Sequence, residues 1–129
     1  MDKKIILVVD DEPNIRLAVS KMLRNDYTIL EATNGEEAID IAKEQNPALI
    51  LMDLMMPKMD GYTACSKIKS NPATKAIPVV ILTAIGHELN KKFAKEMSAD
   101  GYITKPFTRE DLLDTVSRFI NNTNLTGAN

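Results

Sequence analysis

Residues Ala48 to Tyr62 read ALILMDLMMPKMDGY, and the fold turns on how this stretch is read. Five consecutive apolar residues, Ala48 to Met52, run into one carboxylate, Asp53. Further apolar residues and Pro57 then lead to the turn pair Asp60-Gly61. An unbroken apolar run bounded by turn chemistry is the pattern of a strand buried on both faces, as in a parallel sheet. Open α/β sheets carry functional groups at the carboxyl ends of such strands. Asp53 is therefore the first candidate for chemistry. The plainer reading is that it caps the next turn.

The flanking sequence repeats the same grammar. KIILVV, residues 4–9, is an apolar run ending in Asp10-Asp11-Glu12-Pro13, with Pro13 suited to the first turn of a helix. Ile15, Ala18, Val19, Met22 and Leu23 then recur at helical spacing. Tyr27 to Ala32 reads as a weaker strand. Asn34 is placed to cap a helix with Glu37 three residues on, and Ala38, Ile41 and Ala42 form its apolar face. After Asp60-Gly61 a short helix turns Ala64 and Ile68 inward and Lys67 and Lys69 outward. Residues 71–77 form a loop, and Pro78 opens the strand VVIL that ends at Thr83-Ala84.

Leu89, Phe93, Ala94 and Met97 predict another helix, and Tyr102 to Thr104 a very short strand ended by Lys105-Pro106. Thr108 caps the last helix, with Glu110 and Asp111 in its first turn and Leu112, Val116, Phe119 and Ile120 along its stripe. The tail from Asn121 carries no core-forming pattern and is expected to be loose. Five strands alternating with five helices predict one doubly wound α/β domain, a parallel sheet with helices on both faces. The domain is expected over residues 1–121, with 122–129 a flexible tail or linker remnant.

Length and charge narrow the function. The chain has 129 residues, enough for one domain with a real core. Its net charge of −2 argues against nucleic acid as a direct partner, and Lys91, Lys92 and Lys95 read as the wet face of a helix. The single cysteine, Cys65, excludes an internal disulfide and fits a reducing compartment. No apolar run is long enough to span a membrane, and the expected location is cytoplasmic.

The strand ends carry the chemistry. Asp10 and Asp11 follow the first apolar strand, Asp53 the third, Thr83 the fourth and Lys105 the fifth. In a parallel sheet all of them lie on one edge. Each alone has an ordinary explanation as a cap, a strand-end hydroxyl or a surface charge; their joint placement does not. Three carboxylates close together repel unless a cation joins them. A small hard cation with oxygen ligands, Mg2+ by preference, suits a few carboxylates plus waters. With Mg2+ and Lys105 the formal sum is −3 + 2 + 1 = 0, and such a pocket can receive phosphoryl oxygens. One carboxylate could itself be the nucleophile, giving an aspartyl phosphate.

Over nearly its whole length the chain resembles a response-regulator receiver domain of two-component signalling, of the chemotaxis-regulator kind. The matching motifs are VVDDEP at Val8 to Pro13, LMDLMMPKMDGY at Leu51 to Tyr62, IPVVILTA at Ile77 to Ala84 and ADGYITKPF at Ala99 to Phe107. The resemblance implies a flavodoxin-like sheet of order 2-1-3-4-5, which spacing alone does not yield. It implies Asp53 as phosphoacceptor, supplied by a histidine kinase or phosphotransfer protein. Asp11, Asp53 and the Met55 backbone carbonyl would hold Mg2+, with Asp10 acting through water. Lys105 would pair with the phosphoryl group, Thr83 would hydrogen-bond it, and Tyr102 would occupy the aromatic switch position coupled to Thr83. A cis Lys105-Pro106 bond is implied too. The resemblance also implies that Met55 and Ile85 occupy positions that tune dephosphorylation; both are apolar, which predicts slow loss of the phosphoryl group.

Output is expected through the last two helices and the last strand, toward a partner, an output domain or a second copy. Rival readings are a phosphohydrolase, a flavin-binding domain of the same topology and a scaffold without phosphorylation. Met55 stands where such a hydrolase needs a second acid, no phosphate-cradling loop follows the first strand, and the acidic set is complete. His87, the only histidine, sits at a helix start without a partner motif.

Overall fold

Leu49 to Met52 have no exposed surface, as expected of a strand covered on both faces. The structure, a computed structural model, describes residues 3–54, 56, 58–83 and 99–128, with side chains described as far as residue 121. The elements are β1 (Ile5–Val9), α1 (Pro13–Leu23), β2 (Thr28–Ala32), α2 (Gly35–Gln45), β3 (Leu49–Asp53), α3 (Gly61–Ser70), β4 (Val79–Thr83), β5 (Gly101–Thr104) and α4 (Arg109–Ala128). The strands form one parallel sheet of order β2-β1-β3-β4-β5, the flavodoxin-like order. The expected helix over Leu89 to Met97 lies outside the described residues, as does His87.

Strand alternation divides the core in two. Leu7, Val9, Ile50, Met52, Val79 and Ile81 pack against Ala38, Ala42, Ala64, Cys65 and Ile68 of α2 and α3. Ile6, Val8, Leu49, Leu51, Val80 and Leu82 pack against Val19 and Leu23 of α1 and Leu112, Val116 and Ile120 of α4. Each fully buried aliphatic side chain contributes about 1.5–3 kcal/mol, so the two layers fix the strand ends rigidly. Burial pushes the Cys65 thiol up to about 12, so it packs as a small apolar group.

The caps form where the sequence places them. Asn34 Oδ1 accepts from the Glu37 N–H at 3.0 Å, and Asp60 Oδ1 accepts from the Thr63 N–H at 2.8 Å. Thr108 and Asp111 make a reciprocal box, each side chain accepting from the other's backbone N–H at 3.0 Å. Glu37 differs in detail, because its carboxylate takes the N–H of Thr33 at 2.8 Å.

Two expectations need correction. Lys69 does not point outward: its ammonium meets the residues leading into β4 and β5, donating to the Ile77 carbonyl at 3.0 Å and to Asp100 at 2.9 Å. The same Asp100 carboxylate oxygen accepts from the Val79 N–H at 2.7 Å, tying the lysine to the start of β4. Ala18 is exposed and leaves the core stripe to Val19 and Leu23, with Leu17 also outside. The backbone of α4 is helical to Ala128, beyond the point where apolar residues stop recurring. Among the described residues no helix is long and apolar enough to cross a membrane.

Candidate functional site

The carboxyl edge of the sheet gathers the charged residues. β1 and β3 are hydrogen-bonded neighbours, with Val9 opposite Met52, so Asp10 and Asp53 leave the sheet side by side. One carboxylate oxygen from each of Asp10, Asp11 and Asp53 lies within 4.8 Å of the others. The Lys105 ammonium reaches in from the end of β5, 3.2 Å from Asp53 Oδ1 and 3.5 Å from Asp10 Oδ2. The Lys105-Pro106 peptide is cis.

Burial is graded across the cluster. Asp10 is buried, Asp53 half-buried and Asp11 exposed. Desolvation, first, and the Asp10 carboxylate, second, raise the Asp53 pKa above its usual value; the Lys105 charge and hydrogen bond oppose them, and Asp11 adds to the rise. Asp10 Oδ1 accepts from the Glu12 N–H at 2.9 Å. Its Oδ2 is buried without a hydrogen-bond partner among the described residues, lying at ion-pair distance from Lys105 but outside hydrogen-bond geometry. A buried carboxylate oxygen left this way, beside two more carboxylates, is a site short of positive charge.

The loop after β3 is held against the end of that strand. The Gly61 N–H donates to the Leu54 carbonyl at 2.9 Å, and the Gly35 N–H to the Met59 carbonyl at 3.2 Å. A Cβ on Gly61 would fall well inside contact distance of the Asp53 carbonyl oxygen and 2.9 Å from Leu54 Cα, both backbone atoms. Only glycine permits that approach. Lys58, between them, adopts φ 67° in the left-handed region, at about 1 kcal/mol for a residue with a Cβ.

Thr83 is buried at the end of β4, whose Leu82 pairs with Asp53. Its carbonyl accepts from the Lys105 N–H at 2.7 Å, joining the hydroxyl-bearing strand to the ammonium-bearing one. Tyr102 lies on β5 opposite Ile81 and packs against the α2–α3 core. The structure thus brings Asp10, Asp11, Asp53 and Lys105 into one cluster, with Thr83 one strand away. Met55 and Ile85 lie outside the described residues.

Sequence reasoning missed Arg16. Its Nη1 donates to the Asp10 carbonyl at 2.7 Å, and its Nε to Glu31 at 2.9 Å. The spacing holds a weak hint, one turn into α1 from the acidic pair, but Glu31 becomes a neighbour only once β2 pairs with β1.

The model of the response regulator receiver domain family matches residues 6–117. The transcriptional regulatory protein SrrA of Staphylococcus aureus is 41% identical over 122 residues, covering 94% of this chain and 49% of that protein. A histidine kinase of Formosa agariphila is 39% identical over 121 residues, 94% of this chain and 9% of the kinase. Among solved structures, the receiver domain of sensor histidine kinase PA1611 from Pseudomonas aeruginosa, with a magnesium ion in its active-site cleft, superposes with a TM-score of 0.86 at 29% identity, covering 92% of this chain and 98% of that one. The chain therefore spans half or less of these curated relatives. With the sheet order, the acidic cluster and its lysine already in place, the chain belongs to the response regulator receiver domain family.

Proposed function

We propose that the chain accepts a phosphoryl group on Asp53 from the phosphohistidine of a histidine kinase or phosphotransfer protein. The observation that carries this is the half-buried Asp53 carboxylate at the end of β3, 3.2 Å from the Lys105 ammonium and clustered with Asp10 and Asp11. In the transfer an Asp53 oxygen attacks phosphorus, and the P–N bond breaks with its electron pair returning to the imidazole nitrogen.

The donor set fits Mg2+: three carboxylates, one with an orphaned buried oxygen, are hard ligands that the single Lys105 ammonium leaves short of positive charge. Asp11, Asp53 and the Met55 backbone carbonyl would hold the ion, with Asp10 acting through water. When bound it neutralises the developing charge on the phosphoryl oxygens. Lys105 binds a phosphoryl oxygen and gives up part of its pairing with Asp53. Thr83 donates its hydroxyl to another and draws the end of β4 toward the site. Tyr102 follows, changing the surface around Leu89 to Met97 and Tyr102 to Leu113, where an output domain, a partner or a second copy docks. The chain catalyses only its own phosphotransfer and dephosphorylation, and it acts in the cytoplasm without contacting nucleic acid or membrane itself.

The test is Mg2+-dependent labelling by a small acyl phosphate or phosphoramidate. Labelling is expected to vanish in Asp53→Asn and to fall strongly in Asp11→Ala. Unchanged yield in Asp53→Asn would refute the assignment.

A further inference from the structure

Asp10 is pinned on three atoms. Its N–H donates to the Ala32 carbonyl at 3.1 Å, its Oδ1 accepts from the Glu12 N–H at 2.9 Å, and its carbonyl accepts from Arg16 Nη1 at 2.7 Å. The third contact has a consequence the others lack. The Asp10 carbonyl belongs to the planar peptide that joins Asp10 to Asp11. Fixing that oxygen restricts the rotation of the peptide plane, and with it the directions from which the two carboxylate side chains leave the backbone.

Arg16 is itself held. Its Nε donates to Glu31 Oε1 at 2.9 Å, and its side chain is 15% exposed against 47% for Glu31. The Glu31 charge offsets that of the guanidinium, so Arg16 contributes geometry at the acidic cluster rather than net positive potential. The planar fork of arginine satisfies a carbonyl and a carboxylate at once; a lysine ammonium lacks that fixed geometry.

We infer that Arg16 is a positioning residue for the cation site, orienting the Asp10–Asp11 pair through their shared peptide, with Glu31 as its anchor. The inference rests on the phosphoacceptor reading for the identity of the ion, Mg2+. Residues that orient metal ligands commonly matter for affinity by about 10-fold or more.

The experiment is calorimetric titration of the unphosphorylated chain with Mg2+, comparing wild type with Arg16→Met, Arg16→Lys and Glu31→Ala. Affinity is expected to fall about 10-fold in Arg16→Met, less in Arg16→Lys and about 2- to 3-fold in Glu31→Ala. In acyl phosphate labelling, the half-maximal Mg2+ concentration should rise by the same factor as the dissociation constant, while the rate at saturating Mg2+ recovers. A general loss of structure would depress that rate as well. If Arg16→Met does not fold by circular dichroism, the other two variants decide. Mg2+ affinity within twofold of wild type in the folded Arg16 variants overturns the inference, and so does a labelling defect that saturating Mg2+ leaves in place. Wild-type protein that binds no Mg2+ overturns the phosphoacceptor reading with it.

Discussion

Replacing Asp53 by asparagine should make the metal-free domain more stable while abolishing its chemistry. The side chain keeps its size and loses its charge. At an effective dielectric of about 20, unit charges 4.8 Å apart repel by about 3 kcal/mol, and Asp53 faces two such carboxylates. Lys105 at 3.2 Å returns about 5 kcal/mol. The balance is about 1–2 kcal/mol against the ionised Asp53, and desolvation adds to it, so a net gain of about 2 kcal/mol is expected for the amide. For a chain of this length that corresponds to about 7 °C in Tm. The assay is thermal unfolding in EDTA at neutral pH. Mg2+ should narrow the gap, because it binds the wild-type folded state more tightly.

The pH dependence has a definite sign. The folded pKa of Asp53 lies above the usual 3.8, so the folded state takes up a proton before the unfolded chain does. Wild-type stability relative to the amide therefore rises as pH falls through the folded value, and levels off below the unfolded one. An amide variant equal to or less stable than wild type in EDTA would refute the reasoning.

Two further predictions follow from neighbouring positions. Gly61→Ala should destabilise by about 2 kcal/mol or more, moving the urea midpoint down by about 1 M, because the new Cβ meets backbone rather than a movable side chain; an unchanged midpoint would contradict the close approach. Met55→Asn should speed decay of the phosphorylated protein, in excess Mg2+ after donor removal, by about 3- to 10-fold, because an amide can orient the attacking water; equal or slower decay with the fold intact would overturn this.

What was legible in the sequence was what repeats locally. Apolar runs located all five strands, and Asn34, Asp60 and Thr108 marked three helix starts within a residue. Asp10, Asp11, Asp53, Thr83 and Lys105 could be gathered because parallel strands bring their carboxyl ends to one edge. The order of the strands was not derivable from spacing, since every crossover is long enough to reach several neighbours; the resemblance supplied it. Contacts made across the fold were hidden for a related reason. Lys69 looks like a solvated helix lysine until Asp100, 31 residues later, is folded beneath it. Arg16 and Glu31 are 15 residues apart and meet only after β2 has docked. Helical periodicity describes one element at a time and does not register such pairs.

The Lys105 ammonium comes from β5, a four-residue strand at the edge of the sheet, while the acids stand on its central strands. Synthesis therefore delivers all three acids before the lysine that balances them. The first three strands are contiguous in the sheet, with β1 between β2 and β3, and by themselves they gather like charge at one rim. β4 pairs with β3 and β5 with β4, and only that last strand carries the ammonium to the acids. Loss of that one short edge strand would take the ammonium away from Asp53 and leave the pairing of the other four strands in place.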